Sequence, residues 1–209
     1  MGTSDVDDAA GAGRSAAAAA LVGLDGQQPA LVIVYASVRY DLPALLAGVR
    51  ELTGVAPLVG ATSAGHFHGG VVTPEGRGVA VLILTAGPYR FGVASVEVGS
   101  HPDIGMAGSA LARAARNSAG PDLPRHAALL LLSDSFAGDR QLLLAGIHRV
   151  LGASVPVVGG SAGDDRRFDS ARVFHDDQVL AGSAVASGSP PSGASPSAGA
   201  TVGAASAPR

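Results

Sequence analysis

The chain has 209 residues, of which 47% are hydrophobic, 4% aromatic and 15% charged. That length supports one well-buried domain or two small ones, with cores built from Val, Leu, Ile and Ala. A net charge of −3 and a pI near 6.0 give no electrostatic reason to expect nucleic acid. The sequence has no Cys, which excludes disulfides, thiolate zinc sites and thiol catalysis. It has no Lys either, so Walker-type phosphate loops, Schiff bases and Ser–Lys dyads are excluded too.

No run reaches the roughly 18 apolar residues that span a bilayer. The apolar stretch from Ala16 to Leu24 follows Asp5, Asp7 and Asp8, where a secretory leader needs positive charge. The expectation is a cytoplasmic protein without a membrane partner.

In chain order, Asp5 to about Leu24 reads as a helix, with Ser4 as its cap and acidic residues in its first turn. Ala30 to Ala36 is a continuous apolar run, as expected of a central strand covered on both faces. Asp41 starts a second helix with Pro43 in its first turn; Leu42, Leu45, Leu46, Val49 and Leu52 share one face, and Gly54 ends it. Leu58 to Thr62 is a short buried strand. Phe67–Val72 and Gly78–Thr85 read as an antiparallel pair turned at Pro74-Glu75-Gly76, and Tyr89–Val98 alternates as a further strand.

The pattern then restarts. Asp103 to about Asn117 is helical, Ala127–Leu132 is a buried strand, and Asp139–Leu151 is a helix with Leu142, Leu143, Ile147 and Val150 on one face. Val155–Val158 is a strand, and Ala171–His175 pairs with Val179–Ala186 about Asp176-Asp177. A shift of 98 positions places Ser37 on Ser135, Asp41 on Asp139 and Ser4-Asp5 on Pro102-Asp103. One more residue brings Gly60 onto Gly159. The expected fold is therefore layered α/β: two pseudo-repeats of helix–strand–helix–strand plus antiparallel strands, on mixed sheets. Nothing after Ala186 matches Tyr89–Val98, so the second repeat reads as truncated. The expected domain spans residues 1–186. Residues 187–209 are Ser/Gly/Ala/Pro-rich and are expected to be a disordered tail.

Several segments together resemble one known family, the FIST N domain. They are the leading Asp/Ala/Gly helix, ALVIVYAS, LLAGVRELTG followed by PLVGATSAG, and LLLLSDSFAGDRQLLLAGIHRVLG followed by PVVGGSAGDD and RVFHDDQVLAGSAV. The resemblance runs from about Ser4 to Ala186. It implies a non-enzymatic sensory module for intracellular signal transduction that takes a small ligand such as an amino acid. It also implies a FIST C domain, which this sequence lacks, so a separate FIST C or signalling partner is implied. A truncated structural or interaction remnant without ligand is the bland alternative.

Two Gly/Ser stretches carry the candidate chemistry. Backbone N–H groups and small hydroxyls at Gly60, Thr62 and Ser63, and again at Gly159, Gly160 and Ser161, suit a carboxylate. Asp164 and Asp165 suit the amine of the same zwitterion. Ser133 and Asp134 follow an apolar strand, where open α/β sheets place ligands. Asp139, by contrast, reads as an N-cap. Gly159-Gly160-Ser161-Ala162-Gly163 matches the nucleophile elbow Gly-x-Ser-x-Gly, which makes a hydrolase using Ser161 the enzymatic alternative. An elbow needs a helix immediately after its Ser, and Asp164-Asp165-Arg166-Arg167 is not one. His66-x-His68 could pair on a metal but has no third ligand in view. No metal, cofactor or catalytic residue is expected.

Overall fold

The computed structural model describes residues 1–68, 71–73, 76–87, 89–120 and 127–189. One unit runs β1 (Gly2–Ser4), α1 (Ala9–Val22), β2 (Pro29–Ala36), α2 (Leu42–Thr53), β3 (Leu58–Thr62), the hairpin β4 (His66–His68) and β5 (Val71–Thr73), and β6 (Val79–Thr85). The other repeats it: β7 (Gly92–Glu97), α3 (Ile104–Ala119), β8 (Ala128–Ser133), α4 (Arg140–Leu151), β9 (Val157–Ser161), the hairpin β10 (Val173–His175) and β11 (Gln178–Leu180), and β12 (Ser183–Ser189). The layered α/β fold of two pseudo-repeats is thus as expected.

The strands make one sheet in the order β1-β6-β2-β3-β10-β11, a second in the order β7-β12-β8-β9, and β4-β5 apart. Alternation along the strands sorts side chains into three cores. On β2, Val32, Val34 and Ala36 pack with Leu45, Leu46 and Val49 of α2 and the alanines of α1. Leu31 and Ile33 point the other way, against Leu132 of β8 and Val185 of β12. Leu129 and Leu131 of β8 pack with Leu111 of α3 and with Leu143 and Ile147 of α4. The order of layers is therefore helix pair, sheet, sheet, helix pair. Both sheets are covered on both faces, which is why their central strands read as unbroken apolar runs.

The helix pairs touch backbone to backbone. A Cβ on Gly13 would lie 2.3 Å from Leu45 O, and one on Gly48 lies 2.2 Å from Ala10 O. The second pair repeats this: Gly108 meets Leu143 O at 2.2 Å and Gly146 meets Gly105 O at 1.9 Å. Small residues every few positions allow that approach, and only an alanine- and glycine-rich sequence supplies them.

Several sequence expectations are corrected. The first helix begins at Ala9, capped by Asp8 accepting from Gly11 N, and not at Ser4-Asp5. Residues 2–4 are instead strand β1, with Gly2 tucked under α1. The true counterpart of Asp103 is Asp8, so the first helices correspond at a shift of 95 rather than 98. Strand β4 pairs with β5 and not with the Gly78–Thr85 run, which inserts between β1 and β2. Likewise β10 pairs with β11, while β12 crosses to the other sheet between β7 and β8. The Tyr89–Val98 segment, as β7, opens the second unit on β12 as β1 opens the first on β6. The apparent shortfall of the second repeat came from counting that strand with the first. β12 runs to Ser189, past the boundary expected at Ala186, and the rest of the tail lies outside the described residues. Leu52 and Leu142, placed on inward helix faces, are 42% and 52% exposed.

Candidate functional site

The two Gly/Ser stretches are strand ends, not loops. Gly60 and Thr62 lie in β3; Gly159, Gly160 and Ser161 lie in β9. Each strand pairs in parallel with the strand one crossover earlier, β2 for β3 and β8 for β9. The strands differ on their other side. β3 is covered there by β10, with Phe174 opposite Gly60 and Val173 opposite Ala61. A Cβ on Gly60 would meet Val34 O at 2.2 Å and the Phe174 ring at 2.7 Å. β9 is the edge of its sheet, and among the described residues its outward backbone groups have no ladder partner. Pseudo-symmetry thus closes one of the two candidate stretches and leaves the other open.

The first stretch is occupied by the protein itself. Thr62 is buried, and its Oγ1 accepts from Arg172 N at 2.9 Å. Ser63 Oγ lies 2.7 Å from His66 Nε2. Around the second stretch, Ser133, Gly159, Gly160 and Ser161 line one cleft of about 170 Å³ with Leu131, Leu144, Val157, Val158 and Arg140. Ser133 is only 4% exposed, and neither its hydroxyl nor that of Ser161 is hydrogen-bonded among the described residues. Both hydroxyls are therefore available to a guest. Arg140, at the first turn of α4, spends one N–H on Ser135 O at 3.0 Å and forms no salt bridge among the described residues.

The acids stand apart from this cleft. Asp134 Oδ1 accepts from Phe136 N at 2.9 Å and Oδ2 from Gly182 N at 2.7 Å, tying the end of β8 to the start of β12. Asp164 Oδ2 accepts from Asp169 N and Ser170 N, closing its own loop. Asp165 Oδ2 accepts from Ser37 Oγ at 2.7 Å and Oδ1 from Gly76 N at 3.1 Å. Asp165, Arg166 and Phe168 all hold left-handed φ angles of 53°, 62° and 65°. Such backbone is held only where its surroundings over-determine it. The Asp165 bonds supply part of that hold. Asp165→Ala is expected to cost about 1–3 kcal/mol, read by urea unfolding, because Ser37 and Gly76 N lose a buried acceptor.

A larger cleft, about 720 Å³, opens at the opposite end of β3 between α2 and the β10–β11 turn. Its one cation among the described residues, Arg50, donates to Asp177 Oδ1 at 2.7 Å, Asp176 Oδ1 at 3.1 Å, Gly54 O and Ala56 O. These bonds clamp the turn to the end of α2 and leave little donor capacity for a guest. Size therefore does not make this cleft the better candidate.

For catalysis, Ser161 ends β9, and residues 162–172 after it form no helix. Among the described residues, neither Ser161 nor Ser133 hydrogen-bonds a histidine. Ser95 Oγ does reach His175 Nδ1 at 2.8 Å, but His175 Nε2 is 3.7 Å from Asp176 Oδ2. That oxygen is beyond hydrogen-bond reach, so among the described residues no acid orients the ring as a triad requires. Among the described residues, no three His, Asp or Glu side chains converge as a metal would need.

The sequence reading missed Arg140, Leu144 and Leu131. Arg140 directly follows the N-cap Asp139, so it reads as an ordinary exposed helix residue. The signal was its place: the first turn after the strand carrying Ser133.

Fold and cleft together define a pseudo-symmetric four-layer α/β domain with one covered and one open Gly/Ser strand end. The FIST N domain model matches residues 30–200, and the chain belongs to that family, one of sensory domains in signal transduction. No curated protein matches the chain. Among the described residues, no helix is long and apolar enough to cross a membrane.

Proposed function

We propose that the chain is a non-enzymatic sensory domain that binds a small carboxylate-bearing ligand, such as an amino acid, in the cleft between β9 and α4. One observation carries this reading. Ser133 and Ser161 with their uncommitted hydroxyls, the open edge strand β9 and Arg140 all line one small, partly apolar space. A guanidinium with neutral donors suits a carboxylate, and the aliphatic walls Leu131, Leu144 and Val157 suit a short side chain. Ser133, Ser161, Gly159 and Gly160 are the contacts proposed in this unit. Gly60, Thr62 and Ser63 are their covered counterparts, and Asp134, Asp164 and Asp165 shape the strand ends around them. A signalling partner, such as a FIST C segment, would read the occupied state in the cytoplasm.

A thermal-shift screen with an amino-acid panel tests this. A ligand at a hundred times its Kd adds about 2.7 kcal/mol, expected to raise Tm by about 5–10 °C in a domain this size. The rise is expected to vanish in Arg140→Ala and to persist in Asp177→Ala, which alters the larger cleft. A panel without any shift, or a shift that Arg140→Ala retains, would sink the reading.

A further inference from the structure

The two hairpins are copies of one another. His66-Phe67-His68 corresponds to Val173-Phe174-His175 at a shift of 107 residues. Their internal registers agree: Phe67 faces Val72 across β4–β5, and Phe174 faces Val179 across β10–β11. Their fates differ. Phe174 is 0% exposed and sits over Gly60, in the core beneath α2. Phe67 is 85% exposed and Val72 is 75% exposed. The seat equivalent to that of Phe174 lies over Gly159, between β9 and Leu144 of α4. It is the apolar end of the cleft already described. Each molecule therefore carries an unpaired strand edge and an exposed hairpin of the kind that covers the equivalent edge.

We propose that this edge and this hairpin meet between two copies of the chain. β4 of one copy adds antiparallel to β9 of the other, in the register His66 opposite Gly160, Phe67 opposite Gly159 and His68 opposite Val158. This is the β10–β3 pairing carried over to the second unit. Within one chain the leash is short. Three residues, 63–65, join β3 to β4, whereas eleven, 162–172, join β9 to β10. Three residues reach at most about 10 Å, far less than the eleven-residue connection that carries β10 across to β3. Exchange in both directions closes a twofold dimer, the usual outcome when a molecule carries both donor and acceptor. Phe67 of the partner then fills the apolar end of the cleft and β4 takes the outward backbone of Gly159 and Gly160, so the partner hairpin and a ligand compete for this edge. The dimer accounts for the exposed Phe67, for Val158 at 55% exposure and for the bare β9 edge together. It does not depend on the identity of the ligand.

Because the chain has no cysteine, a designed pair reports cleanly. The double variant His68→Cys, Val158→Cys is expected to form a disulfide between chains on mild oxidation and to run as a covalent dimer without reductant. Light scattering of the wild-type chain is expected to give twice its 20.4 kDa mass. Phe67→Asp and Val158→Asp are each expected to halve that mass while keeping the wild-type circular dichroism. Three results would overturn the proposal: a monomeric wild-type chain at tens of micromolar, a disulfide formed within one chain, or a dimer that both Asp variants leave intact. None of these readouts uses a ligand, so failure here is separable from failure of the thermal-shift screen.

Discussion

Gly146→Ala is expected to destabilise the domain by at least about 3 kcal/mol, although alanine is the better helix former. Propensity alone would favour the substitution by about 1 kcal/mol. Packing reverses the sign. The new methyl would lie 1.9 Å from Gly105 O and 2.8 Å from Gly105 C, both backbone atoms with no rotamer to change. Relief requires α3 and α4 to move apart by more than an ångström. That movement strips contacts along the helix pair, including the Ser109 hydroxyl shared by Gly105 O at 3.0 Å and Gly146 O at 2.9 Å. Overpacking alone costs about 1–3 kcal/mol, and the separated interface adds to it. Against a total stability of about 5–15 kcal/mol, the loss is large. Gly160→Ala is the control: a Cβ there has no neighbour within 4 Å, and the expected change is within about 1 kcal/mol. Guanidinium unfolding of the two variants reads the contrast directly.

The second large effect is at Phe174. Its side chain is fully buried beneath α2, against Gly60 and the β2–β3 pair. Phe174→Ala is expected to cost about 3–5 kcal/mol, the range for a large ring removed from a core. β10 has three residues, so the ring is the main reason it stays on β3. Losing it exposes the β3 edge, and hydrogen exchange should accelerate first at Gly60 and Thr62, whose N–H groups face β10. If Phe174→Ala leaves both stability and exchange unchanged, the ring does not hold this edge. Phe67→Ala removes the same residue type from the equivalent hairpin. In dilute monomer it is expected to change stability by no more than about 0.5 kcal/mol, because the ring is exposed there.

The helices were legible because each carries its own punctuation. Asp41 and Asp139 cap where the sequence placed them, Asp103 caps the helix that was read as starting on it, and Gly54 and Gly152 end two of the four helices. Pairing was much less legible. A short apolar strand does not say which neighbour it takes, so β4, β6, β10 and β12 were matched by nearness in sequence. The fold instead sends β10 to the first sheet and returns β12 to the second. At the start of the chain, Ser4, Asp5, Asp7 and Asp8 all offer a capping oxygen, and local rules could not choose among them. Asp8 wins because β1 needs residues 2–4 extended against β6.

The candidate site was half legible. The equivalence of Gly60 and Gly159 is plain in the sequence, and both stretches were taken as open. Their difference is tertiary: β10 covers one, and no described strand covers the other. Asp164 and Asp165 looked like partners for an amine because they follow the Gly-Gly-Ser run. In the fold their oxygens bind Asp169 N, Ser170 N, Gly76 N and Ser37 Oγ. Arg140 was hidden because a helix-face arginine reads as solvent-exposed until β9 is seen to pass beside it.

Backbone amide NMR during titration with an amino acid that shifts Tm tests the ligand site most directly. The account expects the resonances of Ser133, Gly159, Gly160, Ser161 and Arg140 to move together and saturably, with Gly60, Thr62 and Ser63 unmoved. Shifts centred on Gly60–Ser63, or on Arg50, Asp176 and Asp177, would contradict it.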